Sequence, residues 1–344
     1  MKKTAASSMR LFVPILFIFT VSLSLSANGM EETYTAKPGP HQVDTLLCEW
    51  NDSTRDREVP VKIYFPLEGE GPFPIIIFSH GLGGSREGYG YLGRHWASYG
   101  YVSVHLQHHG SDVAIWRNTF QAFDETRKSI KHIGNAVNRA RDVSFAIDQM
   151  ETMNRESGPL KGRIDLNNIG MAGHSFGAWT TLAVTGQAFI DPKDGEKTFT
   201  DPRIKAAIAM SAPAPMKIDR LDKTFANIKI PCLHMTGTLD DSPLGDTKAN
   251  QRRLPFDNIQ AADQYLITFE GGDHMIFTGL PNRLGSHEKD PCFHDLVKIS
   301  STSFWDAHLK NNSAAKKWLA DGGLNTLLGQ DGSLEKKEKT SLSD

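Results

Sequence analysis

Short, almost entirely apolar runs recur along the chain and alternate with stretches of helical spacing. The runs that fit strands span residues 74–79, 101–106, 169–173, 204–211, 230–237 and 265–270. A strand that is apolar on both faces is buried on both faces, which happens when helices cover both sides of a mostly parallel sheet. The pattern therefore predicts an α/β fold with a mostly parallel central sheet flanked by helices. In such sheets functional residues lie just beyond the carboxyl ends of the strands.

Between these runs, apolar residues recur three and four positions apart. The clearest case is an amphipathic helix with apolar residues at Ala136, Val137, Ala140, Val143, Ile147 and Met150. The sequence also predicts an opening strand pair over 42–66, a helix ending at Trp96 and a closing helix over 303–319. We therefore predict one folded domain over 27–325 and a polar, flexible tail over 326–344.

The first residues differ in character from the rest. A basic start precedes an apolar run over residues 11–25, and small residues follow up to Ser26. This pattern is typical of a secretory signal peptide cleaved after Ser26. The alternative, a retained membrane anchor, needs about 20 apolar residues, whereas this run is shorter and contains Pro14. We therefore predict that residues 1–26 are removed, leaving a secreted or periplasmic protein without a membrane span.

The composition excludes several classes of function. The 344 residues include 38 Lys and Arg against 40 Asp and Glu, a formal net charge of −2. This balance does not fit a polybasic nucleic-acid binder, so no nucleic-acid partner is expected. The 3 cysteines exclude a dense disulfide framework. Cys232 is predicted to be a buried thiol, while Cys48 and Cys292 either form a disulfide or remain two free thiols.

The apolar run over 169–173 ends in a motif that carries chemistry. Residues 173–177, Gly-His-Ser-Phe-Gly, have the form G-x-S-x-G, with a predicted strand before them and a helix after them. The flanking glycines are needed because a tight turn leaves no room for a β-carbon there. Such a turn lifts the serine hydroxyl off the sheet at a helix start. Ser175 is therefore the predicted nucleophile.

A serine hydroxyl needs a base to remove its proton, and that base needs an acid to orient it. His274 follows the last predicted strand in a Gly-Gly-Asp-His turn and is the predicted general base. Asp240 and Asp241 lie between Ser175 and His274 in chain order, just after another predicted strand. Both aspartates qualify as the acid, and Asp240 is the favoured one.

Acyl transfer also needs backbone N–H donors for the negative charge that develops on the carbonyl oxygen. One donor is the residue after the nucleophile, Phe176. The other comes from the loop after the run over 74–79, where Leu82 follows His80 and Gly81. His80 itself is expected to make structural hydrogen bonds rather than to act as an acid or base.

Three other features each allow two interpretations. His105, His108 and His109 either bind a metal or belong to a loop at the mouth of the site, and the loop is favoured because no partner has matching spacing. Trp179 is either a substrate platform or a core residue, and its helical spacing favours the core. Residues 279–290 form either a substrate-gating loop or an ordinary surface loop. We predict no metal and no cofactor.

These motifs resemble those of the α/β-hydrolase superfamily, and within it the secreted dienelactone-hydrolase-like and platelet-activating-factor-acetylhydrolase-like esterases. The resemblance covers about residues 43–319, and the segments that carry it are 78–83, 173–177, 237–241 and 304–309. It implies a metal-independent serine hydrolase with Leu82 and Phe176 as oxyanion donors. In relatives with this Gly-Thr-x-Asp turn the acid is the Asp three residues after the glycine, which here is Asp240.

The sequence departs from these relatives at two points. Acetylhydrolases of this type place the acid after the strand that follows the nucleophile helix, but here that strand ends in residues 210–212, Met-Ser-Ala. Dienelactone hydrolases proper have a cysteine where Ser175 stands. The sequence predicts a secreted serine hydrolase of small-molecule, lipid or polymer esters, without naming the ester. The same residues fit an amidase or peptidase, and less well a non-catalytic binding protein on a hydrolase scaffold.

Overall fold

The strands follow the apolar runs of the sequence closely. In the computed structural model the described residues are 34–117, 133–191, 195–215, 220–244, 247–280 and 287–340. Their strands are β1 (Val43–Asp52), β2 (Arg57–Pro66), β3 (Phe73–Ser79), β4 (Val102–Leu106), β5 (Ile164–His174), β6 (Phe189–Asp191), β7 (Gly195–Lys197), β8 (Ile204–Met210), β9 (Cys232–Leu239), β10 (Gln264–Asp273) and β11 (Gly332–Lys337). The predicted signal peptide over 1–26 lies outside the described residues.

Nine of the described strands form one sheet, in the order β1-β2-β4-β3-β5-β8-β9-β10-β11. The six central strands of this order, β4, β3, β5, β8, β9 and β10, run parallel to one another. The pairs β1–β2, β2–β4 and β10–β11 are antiparallel. Strands β6 and β7 form a separate antiparallel pair. The predicted α/β class with a mostly parallel sheet is confirmed.

Helices cover both faces of this sheet. They are α1 (Gly90–Ser98), α2 (Ile133–Arg155), α3 (Phe176–Thr185), α4 (Leu221–Phe225), α5 (Leu254–Asn258), α6 (Asp290–His308), α7 (Ser313–Ala320) and α8 (Gly323–Leu328). On one face α1 and α6 pack on the strands through buried aromatic residues such as Trp96 and Trp305. On the other face α2 packs through Val143 and Ile147, and α3 through Leu182. Among the described residues, no helix is both long and apolar enough to span a bilayer.

The end of the chain differs from its prediction. The closing helix expected over 303–319 is two helices, because Asn311 has a positive φ of 54° and the side chain of Asn312 caps α7 by accepting the N–H of Ala315. The tail expected from residue 326 contains the end of α8 and the strand β11, which pairs with β10. Residues 332–337 are therefore part of the sheet and not of a flexible tail.

The cysteines are all free thiols. Cys48 lies on β1 at one edge of the sheet, while Cys292 in α6 has its Sγ 3.5 Å from Oδ2 of Asp331, just before the opposite edge strand. The disulfide alternative for this pair is therefore wrong. Cys232 is fully buried, as predicted, and burial raises the pKa of its thiol to about 12.

Candidate active site

The turn between β5 and α3 holds Ser175 in a strained backbone conformation. Its φ is 57° and its ψ is −117°, a region that few residues with a side chain adopt. A β-carbon at Gly173 would collide with the carbonyl of Gly177, and one at Gly177 would collide with the carbonyl of Ser79. Both positions therefore require glycine. The tight packing of β3 against this turn places Ser175 at the carboxyl end of β5 and at the start of α3.

His274 lies between Ser175 and Asp240. Its Nε2 is 3.0 Å from Oγ of Ser175, and its Nδ1 is 2.7 Å from Oδ1 of Asp240. Asp240 is fully buried and His274 is nearly so, whereas Ser175 is half-buried. Because Nδ1 donates to a carboxylate, Nε2 is left as the acceptor that faces the serine hydroxyl. The fold thus brings together three side chains that follow β5, β9 and β10.

The second carboxylate oxygen of Asp240 is held by hydroxyl groups. Oδ2 accepts hydrogen bonds from Oγ of Ser211 at 2.5 Å and from Oγ1 of Thr236 at 2.8 Å. Burial by itself raises the pKa of Asp240, but contacts with His274, Arg252 and Ser211 outweigh it and hold the pKa below the ordinary value. Ser211 follows β8, where the sequence has no carboxylate, and it supports the acid that follows the next strand.

Asp241 faces a different part of the structure. Its carboxylate is exposed, forms an ion pair with Nζ of Lys248 at 2.8 Å and accepts the N–H of Ala249 at 2.9 Å. The hydrogen bonds from Lys248 and Ala249 lower its pKa. Asp241 therefore holds the start of a short 3₁₀ turn, Ala249–Gln251, rather than the imidazole.

Arg252 is a buried arginine beside His274 and Asp240, and no motif in the sequence marks it. Its Nη2 is 3.2 Å from Nδ1 of His274, and its Nε is 3.4 Å from Oδ1 of Asp240. It also donates to the carbonyl oxygens of Asp240 and Ser211. A positive charge this close favours the ionised form of the carboxylate.

His174 and Tyr89 connect the three loops that surround Ser175. His174 Nε2 donates to the carbonyl oxygen of His274 at 2.9 Å, and its Nδ1 accepts from the Tyr89 hydroxyl at 2.7 Å. The Tyr89 oxygen in turn accepts the N–H of Gly81 at 3.4 Å. Burial holds the pKa of His174 well below its ordinary value, so the ring is neutral and each nitrogen keeps one role.

The loop between β3 and α1, residues 80–89, lies against the turn that holds Ser175. A β-carbon on Gly81 would sit 3.5 Å from the carbonyl oxygen of His174. Leu82 follows in this loop, and Phe176 is the first residue of α3, where N–H groups have no partner within the helix. Among the described residues no hydrogen bond occupies the N–H of Leu82 or of Phe176.

His80 is a structural group in the same loop. Its Nδ1 donates to the carbonyl oxygen of Gly81 at 2.6 Å, and its Nε2 accepts the N–H of His108 at 3.2 Å. Because the side chain is buried, the pKa of His80 lies well below its ordinary value, and the ring stays neutral. Both ring nitrogens are thus engaged in holding the loop.

Two of the three histidines predicted around the end of β4, His105 and His108, lie inside the fold, whereas the side chain of His109 is partly exposed. His105 is buried with its Nε2 3.0 Å from Oγ of Ser103, and His108 is buried between Ser79 and Asp142. Burial lowers the pKa of His105 to about 3 and that of His108 to about 4. The prediction that these two residues line the mouth of the site is therefore wrong. Within the described ranges, no group of His, Cys and acidic residues is arranged to hold a metal ion.

Trp179 is neither a fully buried core residue nor a fully exposed platform. It is half-buried on α3, with its ring centroid 6.0 Å from those of both Phe176 and Phe189. It therefore packs along one side and is open on the other. Of the loop over 279–290, residues 281–286 lie outside the described residues, so its gating role stays a prediction.

The fold and this arrangement define a class of protein. A mostly parallel sheet with helices on both faces, and a serine on a strand-to-helix turn at the carboxyl end of a central strand, is the α/β-hydrolase fold. A family model described as platelet-activating factor acetylhydrolase, isoform II, matches residues 45–153.

The individual relatives are named either platelet-activating factor acetylhydrolase or cutinase. The chain is 27% identical to a platelet-activating factor acetylhydrolase of Cavia porcellus over 150 residues, which cover 36% of this chain and 34% of that protein. It is 25% identical to the acetylhydrolase of Canis lupus familiaris over 240 residues, 62% and 49% of the two chains. It is 24% identical to cutinase 1 of Thermobifida cellulosilytica over 224 residues, 64% and 67% of the two chains.

The matches span from about a third to two thirds of the length of these relatives. Acetylhydrolases and cutinases are carboxylic ester hydrolases of the α/β-hydrolase superfamily. The resemblance to serine esterases of this superfamily is therefore confirmed.

Proposed function

We propose that the chain is a serine hydrolase that cleaves carboxylic esters through an acyl-enzyme. The observation that carries the proposal is the continuous contact from Asp240 through His274 to Ser175, at 2.7 and 3.0 Å. The names of the relatives, acetylhydrolase and cutinase, support the choice of ester as the substrate class.

In the first half of the reaction Ser175 Oγ attacks the carbonyl carbon of the ester. Its proton passes to Nε2 of His274, and the carbonyl oxygen becomes an oxyanion. The N–H groups of Leu82 and Phe176 donate to that oxyanion, and the N-terminus of α3 adds its positive dipole end. The intermediate collapses when the C–O bond to the alcohol breaks, and the alcohol oxygen takes the proton from His274.

In the second half water attacks the acyl carbon while His274 accepts its proton. The second intermediate collapses to the free acid, and the proton returns to Ser175 Oγ. Asp240 stays ionised throughout, holds the imidazole with Nε2 toward the serine and stabilises the imidazolium. The low pKa of Asp240 supports this role.

Two alternatives use the same scaffold. An amidase or peptidase would use the same triad on substrates whose amine leaving group is harder to expel than an alcohol. A non-catalytic binding protein would not need a strained turn at the serine. The strained turn at Ser175 supports catalysis, because strained backbone conformations cluster at active sites, where the surrounding structure holds them in place.

The signal-like residues 1–26 support export, and we propose that the enzyme acts outside the cytoplasm.

Hydrolysis of a p-nitrophenyl ester series, compared with the matching p-nitroanilides, tests the reaction class. We expect release of p-nitrophenol and labelling of Ser175 by a fluorophosphonate probe. Faster cleavage of the anilides would favour the amidase, and a chain that is neither labelled nor active would be a binding protein. Varying the acyl length within the series then separates acetyl esters from long-chain and polyester-like substrates.

A further inference from the structure

Arg139 on α2 is a fully buried arginine close to the proposed oxyanion hole. Its guanidinium donates from Nε to Oγ1 of Thr180 at 3.0 Å, from Nη1 to Oγ of Ser111 at 2.8 Å, and from Nη2 to Oγ of Ser79 at 3.0 Å and to the carbonyl oxygen of His80. Within the described part of the chain, no carboxylate forms a salt bridge with it. Burial lowers the pKa of Arg139 to about 9, so the group is charged at neutral pH.

One set of these contacts anchors the loop that carries Leu82. Arg139 binds the carbonyl oxygen of His80, which precedes Leu82 by two residues. It also binds the hydroxyl of Ser111, whose carbonyl oxygen accepts the N–H of Gly83 at 2.9 Å. The peptide group of Leu82 is thus held from both sides through the same guanidinium.

The other contacts anchor the start of α3. The guanidinium lies over the ring of Phe176, with Cζ 4.4 Å from the ring centroid. Thr180 Oγ1, which accepts from Arg139, donates to the carbonyl oxygen of Phe176 at 3.0 Å. One rigid planar group therefore contacts both segments that supply the oxyanion donors.

We propose that Arg139 is a positioning residue that fixes the Leu82 and Phe176 N–H groups relative to each other. The inference rests on the proposed function, since the hole acts only if an oxyanion forms at Ser175. The geometry needs an arginine because its fork reaches several acceptors in one plane, whereas a lysine ammonium is a single point charge. Donors that are held in place stabilise the transition state without reorganising.

The test compares Arg139→Met and Arg139→Lys with wild type on a p-nitrophenyl ester. The control is Arg203→Met, because Arg203 forms ion pairs with Asp148 and Glu151 of the same helix at 2.6 and 2.9 Å. Rates are expressed per active site, counted by the endpoint of fluorophosphonate labelling. A trifluoromethyl ketone, which forms a tetrahedral oxyanion on the serine, serves as a second probe.

We expect Arg139→Met to lower kcat on the order of 10²-fold while KM stays near wild type, because a misplaced hole weakens only the transition state. The trifluoromethyl ketone should lose affinity by a similar factor, and Arg139→Lys should also be impaired. Arg203→Met should keep kcat per site. If Arg139→Met matches Arg203→Met in kcat and ketone affinity and differs only in its melting temperature, the role is structural and the proposal is wrong.

If Arg139→Met does not fold, Thr180→Val provides a second test, because it removes the hydrogen-bonded link from the guanidinium to the carbonyl of Phe176 and leaves Arg139 itself in place. A fall in kcat at constant KM supports the proposal, and an unchanged kcat overturns it. If the wild-type chain is neither labelled nor active, the proposed function fails and this inference fails with it. If the wild type is active and the Arg139 and Thr180 variants keep its kcat, only this inference is overturned.

Discussion

Ser79 Oγ lies 2.9 Å from Nε2 of His108, nearly the separation between Ser175 Oγ and Nε2 of His274. His108 Nδ1 lies 2.9 Å from Oδ2 of Asp142, so the chain contains a second Ser-His-Asp constellation. All three of these side chains are buried and inaccessible. Triad geometry alone therefore does not define a nucleophile, and exposure on a strained turn separates Ser175 from Ser79.

A fluorophosphonate probe should consequently modify Ser175 and leave Ser79 unmodified. Peptide mapping of the labelled protein checks this, with Ser175→Ala as the comparison. Ser175→Ala should fold normally and lose labelling, and its kcat should drop by several orders of magnitude to the residual level of binding and oxyanion donors. A label on Ser79, or ester turnover near wild type in Ser175→Ala, would contradict the assignment.

The two neighbouring aspartates should behave differently. Asp240→Asn removes the charge that orients His274, and in a related triad this change costs on the order of 10⁴ in kcat. Asp241→Asn weakens the contact with Lys248 and should mainly lower the melting temperature slightly. Steady-state kinetics and thermal melting of both variants check this. An inactive Asp241→Asn beside an active Asp240→Asn would reverse the assignment.

Removing the Tyr89 hydroxyl should loosen the loops around the site. Tyr89→Phe deletes the hydrogen bond of 2.7 Å to His174 and the longer contact of 3.4 Å with Gly81. We expect kcat to fall about tenfold, which is what the loss of the shorter of these buried hydrogen bonds gives if it acts on the transition state. Tyr91→Phe is the matched control, because that hydroxyl donates to the carbonyl oxygen of Phe277 instead. Equal kcat in the two variants would show that the Tyr89 bridge does not position the site.

Buried neutral histidines should make the fold sensitive to mild acid. His234 on β9 is buried, and burial lowers its pKa to about 4, against about 6.5 in an unfolded chain. Between these values the unfolded state binds more protons, so the stabilisation is complete above pH 6.5 and is lost as the pH falls toward 4. For one such group the loss is roughly 3 kcal/mol.

Urea unfolding of wild type and His234→Gln at pH 7.5 and pH 4.5 measures this contribution. The variant keeps a side chain able to reach Gln264, the present partner of His234 at 2.9 Å. We expect its stability relative to wild type to improve at pH 4.5. A difference between the two proteins that is the same at both pH values would remove His234 as a source of acid sensitivity.

The sequence was sufficient for the parts of the fold that depend on local patterns. Strands such as β3 and β5 are apolar on both faces, and the G-x-S-x-G spacing identifies its turn, because both signals lie within a few consecutive residues. The boundary between α6 and α7 was missed because it depends on the backbone conformation of Asn311. The sequence does not predict strand β11, because Leu334 is the single large apolar side chain among its 6 residues and one such residue makes no alternating pattern.

The residues that hold the site in place could not be predicted from local sequence patterns. Ser211 and Arg252 reach Asp240 and His274 from other segments, and their contacts arise only when the strands assemble. Arg139 is polar within an amphipathic helix, where charged residues ordinarily face water. Nothing in its sequence neighbourhood distinguishes a buried arginine from an exposed one.

Strand β11 has a consequence for association between chains. It covers the backbone of β10, whose Leu266, Ile267 and Phe269 are buried, and its own exposed side chains include the charged Glu335 and Lys336. Charged side chains on an outer strand disfavour pairing with a strand from another molecule, whereas an uncovered apolar strand promotes it. The charged outer strand thus disfavours edge-to-edge association of the sheet, and this effect does not depend on Ser175 or its hydrogen-bond partners.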